Sequence, residues 1–148
     1  MIERVSDIEP SRWPVRWPQV RLDQFVDLNK MQVSTMDALN ALCDIAESKH
    51  GWTHHINSGY REGDTGQHGF GLAVDVVFYH LVAGDTSPID QFVFAVGTGL
   101  FRRVGFYLDW KSPGLHLDLK NETLCWFHDT RGYHYGKSPA GILTARVV

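Results

Sequence analysis

The chain has 148 residues, 43% of them hydrophobic and 21% charged, which suits one globular domain and excludes fibrous or disordered classes. A net charge of -3 and a pI near 6.2 provide no basic footprint for nucleic acid. No apolar run reaches the roughly 18–20 residues of a membrane span, and the start lacks the charged-then-apolar pattern of a secretory signal.

Residues 1–22 carry Pro10, Pro14 and Pro18 with Trp13 and Trp17 between them. That proline density predicts an irregular arm whose tryptophans pack onto the domain. Ser34-x-x-Asp37 then resembles a capping box, and Met36, Leu39, Leu42, Cys43 and Ala46 follow at helical spacing. This helix should stop near His50, with Gly51 as its terminal glycine. Residues 52–57 read as a strand leading into the turn Ser58-Gly59-Tyr60-Arg61.

The glycine-rich stretch 62–71 is loop, and residues 72–78 are β-rich and apolar apart from Asp75. A second helix starts with Ser87 as cap and Pro88 in the first turn, which should turn Ile89, Phe92, Val93 and Val96 inward. Strand-like runs follow at 104–108, 115–119 and 124–127. With no repeat and no dividing linker, a single domain over 1–148 is expected. Its class is α+β, with helices packed on a mainly antiparallel sheet.

Cys43 and Cys125 lie in apolar stretches and predict buried free thiols. The eight histidines are the compositional oddity, because imidazole is the commonest metal ligand. His54 and His55 are adjacent on a strand and point to opposite faces. His80, His128 and His134 are expected at the surface or in hydrogen bonds.

Two apolar strands carry polar interruptions. In Leu115-His116-Leu117-Asp118-Leu119, period-two alternation places His116 and Asp118 on one face and the leucines on the other. If the leucines face the core, His116 and Asp118 project together into a cleft or solvent. Asp75 sits in a run that should be buried, and an unpaired buried carboxylate costs several kcal/mol. It needs a cation such as Arg61, a donor set or a metal. His68 lies seven residues before Asp75, and the glycines between them permit tight turns. Two imidazoles and a carboxylate suit Zn²⁺, whose catalytic sites keep three protein ligands and an open position.

Ser58-Gly59-Tyr60-Arg61, His68-x-x-Gly71-x-Ala73-x-Asp75, Gly105-Phe106-Tyr107 and Leu115-His116-Leu117-Asp118 occur in that order. Together they resemble the M15 family of zinc D,D-carboxypeptidases and L-alanyl-D-glutamate endopeptidases, in its His-x-Asp branch, over roughly residues 23–128. The resemblance implies a hedgehog/D-Ala-D-Ala-peptidase-like fold, with His68 and Asp75 as zinc ligands. Arg61 would bind substrate and the developing oxyanion, and further substrate contacts are expected from Ser58, Gln67 and Tyr107. The implied substrate is the peptide stem of bacterial peptidoglycan. Synthesis in the cytoplasm without a signal peptide then suits a phage or prophage lysis enzyme acting on the wall after release.

Family members carry Glu or Asp three residues before the last His ligand, or a His-x-His pair. Position 113 here is Pro, and Asp118 replaces the second His. Two assignments follow. In one, His116 binds zinc and Asp118 is the base or orients a ligand; in the other, Asp118 binds zinc and His116 is the base. The first is preferred, because imidazole suits zinc better than a second carboxylate. Asp109 is a weaker candidate for the base. A non-catalytic, zinc-containing recognition module of the same fold, for instance in a phage tail, is the rival reading.

Overall fold

Strand alternation sorts the side chains of one sheet into a core face and a polar, aromatic face. In the computed structural model, residues 2–142 are described. The helices are α1 (Trp13–Arg16), α2 (Val33–His50) and α3 (Pro88–Thr98). The strands are β1 (Trp52–Ser58), β2 (Ala73–His80), β3 (Gly84–Asp85), β4 (Arg103–Tyr107), β5 (Gly114–Asp118), β6 (Leu124–Asp129) and β7 (Gly132–Gly136). They form one sheet in the order β1-β2-β5-β4-β6-β7, with β3 paired to β2. Among the described residues the β4–β6 pairing alone is parallel, so the α+β class with a mainly antiparallel sheet holds.

The core face is built from alternate residues. Val74, Val76, Leu115 and Leu117 are 0% exposed, and Phe78, Phe106 and Phe127 are nearly so. Helix α2 lays Met36, Leu39, Leu42 and Ala46 onto it, at the spacing that keeps one stripe of a helix facing one way. The helix ends at Gly51, left-handed at φ 66°, as expected.

Its start differs from expectation. The N-cap is Gln32, and no side chain caps the helix. Asp37 is drawn away by the N-terminal arm, where it accepts hydrogen bonds from Arg16 and from Trp17 Nε1. The arm is a series of short turns, and its Val5, Trp17 and Met31 neighbours are buried in the core, which places the tryptophan side chain as the proline spacing suggested.

Helix α3 begins as read, with Ser87 Oγ accepting from Asp90 N and Pro88 in the first turn. Its buried face is the expected one only in part, with Phe92 buried and Val96 packed against the core. Phe92, Ala95 and Gln91 point inward, whereas Ile89 and Val93 are exposed. Gln91 explains the rotation: its Oε1 accepts from Phe78 N at 2.8 Å and its Nε2 donates to Thr86 O. With apolar residues all round the helix, two hydrogen bonds decide which side turns in. Cys43 and Cys125 are buried and unbonded to each other.

Candidate metal centre

The sheet register assembles the site. Asp75 on β2 pairs directly with His116 on β5, and His116 in turn with Gly105 on β4. On the other side, a register shift between Ile56 and Ser58 sets Ser58 opposite Asp75. Such a bulge re-aims the chain beside a site. The file continues from Gly105 to Trp126 on β6 and Tyr135 on β7. One row of the face away from the core therefore reads Ser58, Asp75, His116, Gly105, Trp126, Tyr135.

His68 enters from outside the sheet, on a 3-10 turn over Gln67–Phe70. The loop closes on itself at Gly69, where an added Cβ would overlap the Asp64 carbonyl oxygen, so only glycine allows this path. His68 Nδ1 donates to Gly59 O at 2.7 Å. A carbonyl only accepts, so Nδ1 carries the hydrogen and the neutral ring offers its lone pair at Nε2. That Nε2 is buried, has no hydrogen bond from the described residues, and faces Asp75 Oδ1 at 3.2 Å.

His116 is oriented from its other side. Its Nε2 donates to Asp118 Oδ2 at 2.7 Å, while Nδ1 faces Asp75 Oδ1 at 3.1 Å. His68, Asp75 and His116 thus present one ligand atom each, all within 4.8 Å of one another, and together they can hold a metal ion. The orphaned His68 nitrogen is the sign that fits: three electron-pair donors converge on one point, which is unfavourable until a cation sits there.

The electrostatics agree. Burial pushes the Asp75 carboxyl up, but the adjoining imidazoles of His116 and His68 overcome it and hold the group down at about 2. Burial likewise opposes charge on His116, yet Asp118 and Asp75 outweigh it and raise its pKa above the ordinary value. The two carboxylates that flank the ring thus favour positive charge at this point. Asp118 is also held at about 2, with burial opposed by His116 and Arg103.

Arg61 approaches Asp75 from the opposite edge. Its Nη2 donates to Asp75 Oδ2, its Nε to Ser58 Oγ at 2.9 Å, and its Nη1 lies 3.7 Å from Asp64. The ion pair weighed as an alternative to a metal is therefore formed, but on the carboxylate oxygen the histidines do not face. The ion pair with Arg61 thus leaves Asp75 Oδ1 available to the cluster that could hold a metal ion.

The face shared by His116 and Asp118 is confirmed, but Asp118 does not project into solvent. It is 0% exposed, because Arg103 on β4 closes over it with hydrogen bonds of 2.8, 2.9 and 3.0 Å. Lys120 N also donates to its Oδ1. Asp109 lies apart from the ligand cluster and binds His128 Nδ1 at 2.6 Å. His54 is buried with Nε2 accepting from Arg21 N, and His55 is exposed on the opposite face. His80 and His134 make local hydrogen bonds.

Two openings flank the cluster. A cleft of about 420 Å³ runs past Asn57, Ser58, Arg61 and Asp75 to Trp110. A second, of about 600 Å³, is lined by Gln67, His68, Tyr107, His116 and Trp126. The substrate-contact candidates Ser58, Arg61, Gln67 and Tyr107 all border one or the other.

Arg103 and the aromatic strand β7 were not anticipated from sequence. Their signals exist in retrospect: Arg103, Gly105 and Tyr107 alternate on one strand, and Tyr133 and Tyr135 alternate between Gly132 and Gly136. No protein-family model, no curated protein and no solved structure matches the chain.

Proposed function

We propose that this chain is a zinc peptidase of the M15 kind, hydrolysing the peptide stem of bacterial peptidoglycan on a hedgehog/D-Ala-D-Ala-peptidase-like fold. The observation that carries the reading is the convergence of His68 Nε2, Asp75 and His116 Nδ1, with Arg61 beside them, at the motif positions that suggested that family. Two imidazoles and one carboxylate leave an open position on a tetrahedral ion and suit zinc over harder cations. Zinc held there supplies Lewis acidity and lowers the pKa of a bound water to about 7.

The protein groups supply the rest. Gly59 O and Asp118 each accept the distal N–H of a ligand histidine, which fixes tautomer and ring orientation. Arg61, half exposed at the mouth of the cleft, is placed to hold a carboxylate of the substrate or the charge that develops on the scissile carbonyl. Ser58 steadies its guanidinium. Asp118 has both oxygens engaged by Arg103, Lys120 N and His116, which supports the role of orienting His116 over that of base.

The full engagement of Asp118 also favours a second reading, a non-catalytic cell-wall module that keeps the zinc for recognition. Mass spectrometry of muropeptides digested with and without zinc separates the two. Cleaved stems that vanish in His68→Ala support the peptidase; stoichiometric zinc by elemental analysis with intact stems supports the module.

A further inference from the structure

The uncovered half of the metal face is aromatic. Gly105, Trp126 and Tyr135 form one cross-strand file and Tyr107, His128 and Tyr133 the next, both on the side of the sheet that carries Asp75 and His116. Gly105 creates the ground for this: an added Cβ there would lie 2.2 Å from the Trp126 indole, which rests over the glycine and comes within 5.5 Å of the His116 ring. From Trp126 the rings continue to Tyr135 at 6.3 Å, and Tyr135 lies parallel to Tyr133 at 5.4 Å with 9° between planes. Tyr133 and Tyr135 are 52% and 58% exposed. Both line the same cleft as the ligand histidines.

From this geometry we infer that β6 and β7 form a sugar-binding platform, on which an amino-sugar ring of a glycan strand stacks while its peptide reaches the metal cluster. The inference rests on the peptidase reading for its substrate and on the surface for its chemistry. Flat tyrosine faces offer π density to the C–H groups on one side of a pyranose, and their hydroxyls offer partners to its equatorial oxygens. The polar rim of the cleft, Asp64, Gln67 and Glu122, adds acceptors and a donor for hydroxyl and acetamido groups.

Charge decides against the other ligand that stacks on aromatic rings. Single-stranded nucleic acid needs a cationic groove along its backbone. Here the rim holds Asp64 and Glu122, its arginine is engaged by Asp118, and the chain carries a net charge of -3. A neutral glycan has no such requirement. Strand spacing of about 4.8 Å sets β7 roughly 14 Å from β5 across the sheet, within reach of a few extended residues at about 3.3–3.6 Å each.

The test is titration of metal-free protein with N-acetylglucosamine oligomers, read by tryptophan fluorescence and by amide chemical-shift mapping. Saturable binding with shifts centred on β6 and β7 is expected, weakened at least tenfold in Tyr133→Ala/Tyr135→Ala and retained in the paired Tyr→Phe variant. No saturable binding, shifts located elsewhere, or binding unchanged in the alanine variant overturns the inference. Tighter binding of oligothymidylate than of the sugar overturns it too. Because no metal and no hydrolysis enter the measurement, its failure leaves the peptidase reading standing, and failure of that reading leaves the platform measurable.

Discussion

Asp118→Asn separates the possible roles of the residue that the sequence left ambiguous. The substitution keeps the size of the side chain and removes its charge. Two consequences follow from the hydrogen bonds it makes. The first is structural: Arg103, whose side chain is 19% exposed, loses the carboxylate it grips and keeps Glu122 at 3.6 Å and the Trp126 ring beneath its guanidinium. Breaking a fully buried pair costs about 3–5 kcal/mol. Partial exposure and the remaining Glu122 reduce this, so about 2–3 kcal/mol of folding stability is expected to go.

The second consequence concerns the metal. An amide at 118 no longer enforces a hydrogen on His116 Nε2, and removal of such a partner weakens metal binding by about 10–100-fold. At about 1.4 kcal/mol per tenfold, that is about 1.4–2.8 kcal/mol. Urea unfolding of metal-free protein measures the first effect, and competition with a chromophoric zinc chelator measures the second. A zinc affinity within twofold of wild type would refute the orienting role and leave Asp118 as half of an ion pair. An affinity loss as complete as that of His116→Ala would make Asp118 itself a ligand.

Three further outcomes are expected. Zinc at a hundredfold excess over its Kd should stabilise the wild type by about 2.7 kcal/mol, roughly 5–10 °C in Tm, and should leave His68→Ala unmoved in a thermal scan. Gly105→Ala drives a methyl group into the Trp126 indole and should cost about 1–3 kcal/mol in urea unfolding, with a change in tryptophan emission; an unchanged emission spectrum would show that the indole does not lie where described. Burial, reinforced by Arg21 and His55, lowers His54 to about 4. The unfolded chain therefore binds the extra proton between about pH 6.5 and 4, and stability falls as pH drops through that window by about 3 kcal/mol, at about 1.4 kcal/mol per unit. In His54→Gln, which keeps an acceptor for Arg21 N, the slope of unfolding midpoint against pH should flatten over that range; an equally steep slope would assign the effect to other groups.

Local rules determined much of this protein in advance. The Met36, Leu39, Leu42, Ala46 spacing and Gly51 specify α2 because a helix shows one stripe to its neighbours, whatever those neighbours are. The Leu-His-Leu-Asp alternation specifies which face of β5 holds His116, and the lone Asp75 in an apolar strand announces a partner, because a buried bare charge is too costly to leave. Tertiary structure decided what no local period encodes. Which way α3 rolls depends on where Phe78 N waits for Gln91. Asp37 meets Arg16 and Trp17 through the path of the arm. Whether His116 or Asp118 faces Asp75 is a matter of register between β2 and β5, since strand pairing brings together residues 41 positions apart. The position of Arg103 across β4, set by the same pairing, buries Asp118 and turns an apparent surface carboxylate into a support for the histidine beside it.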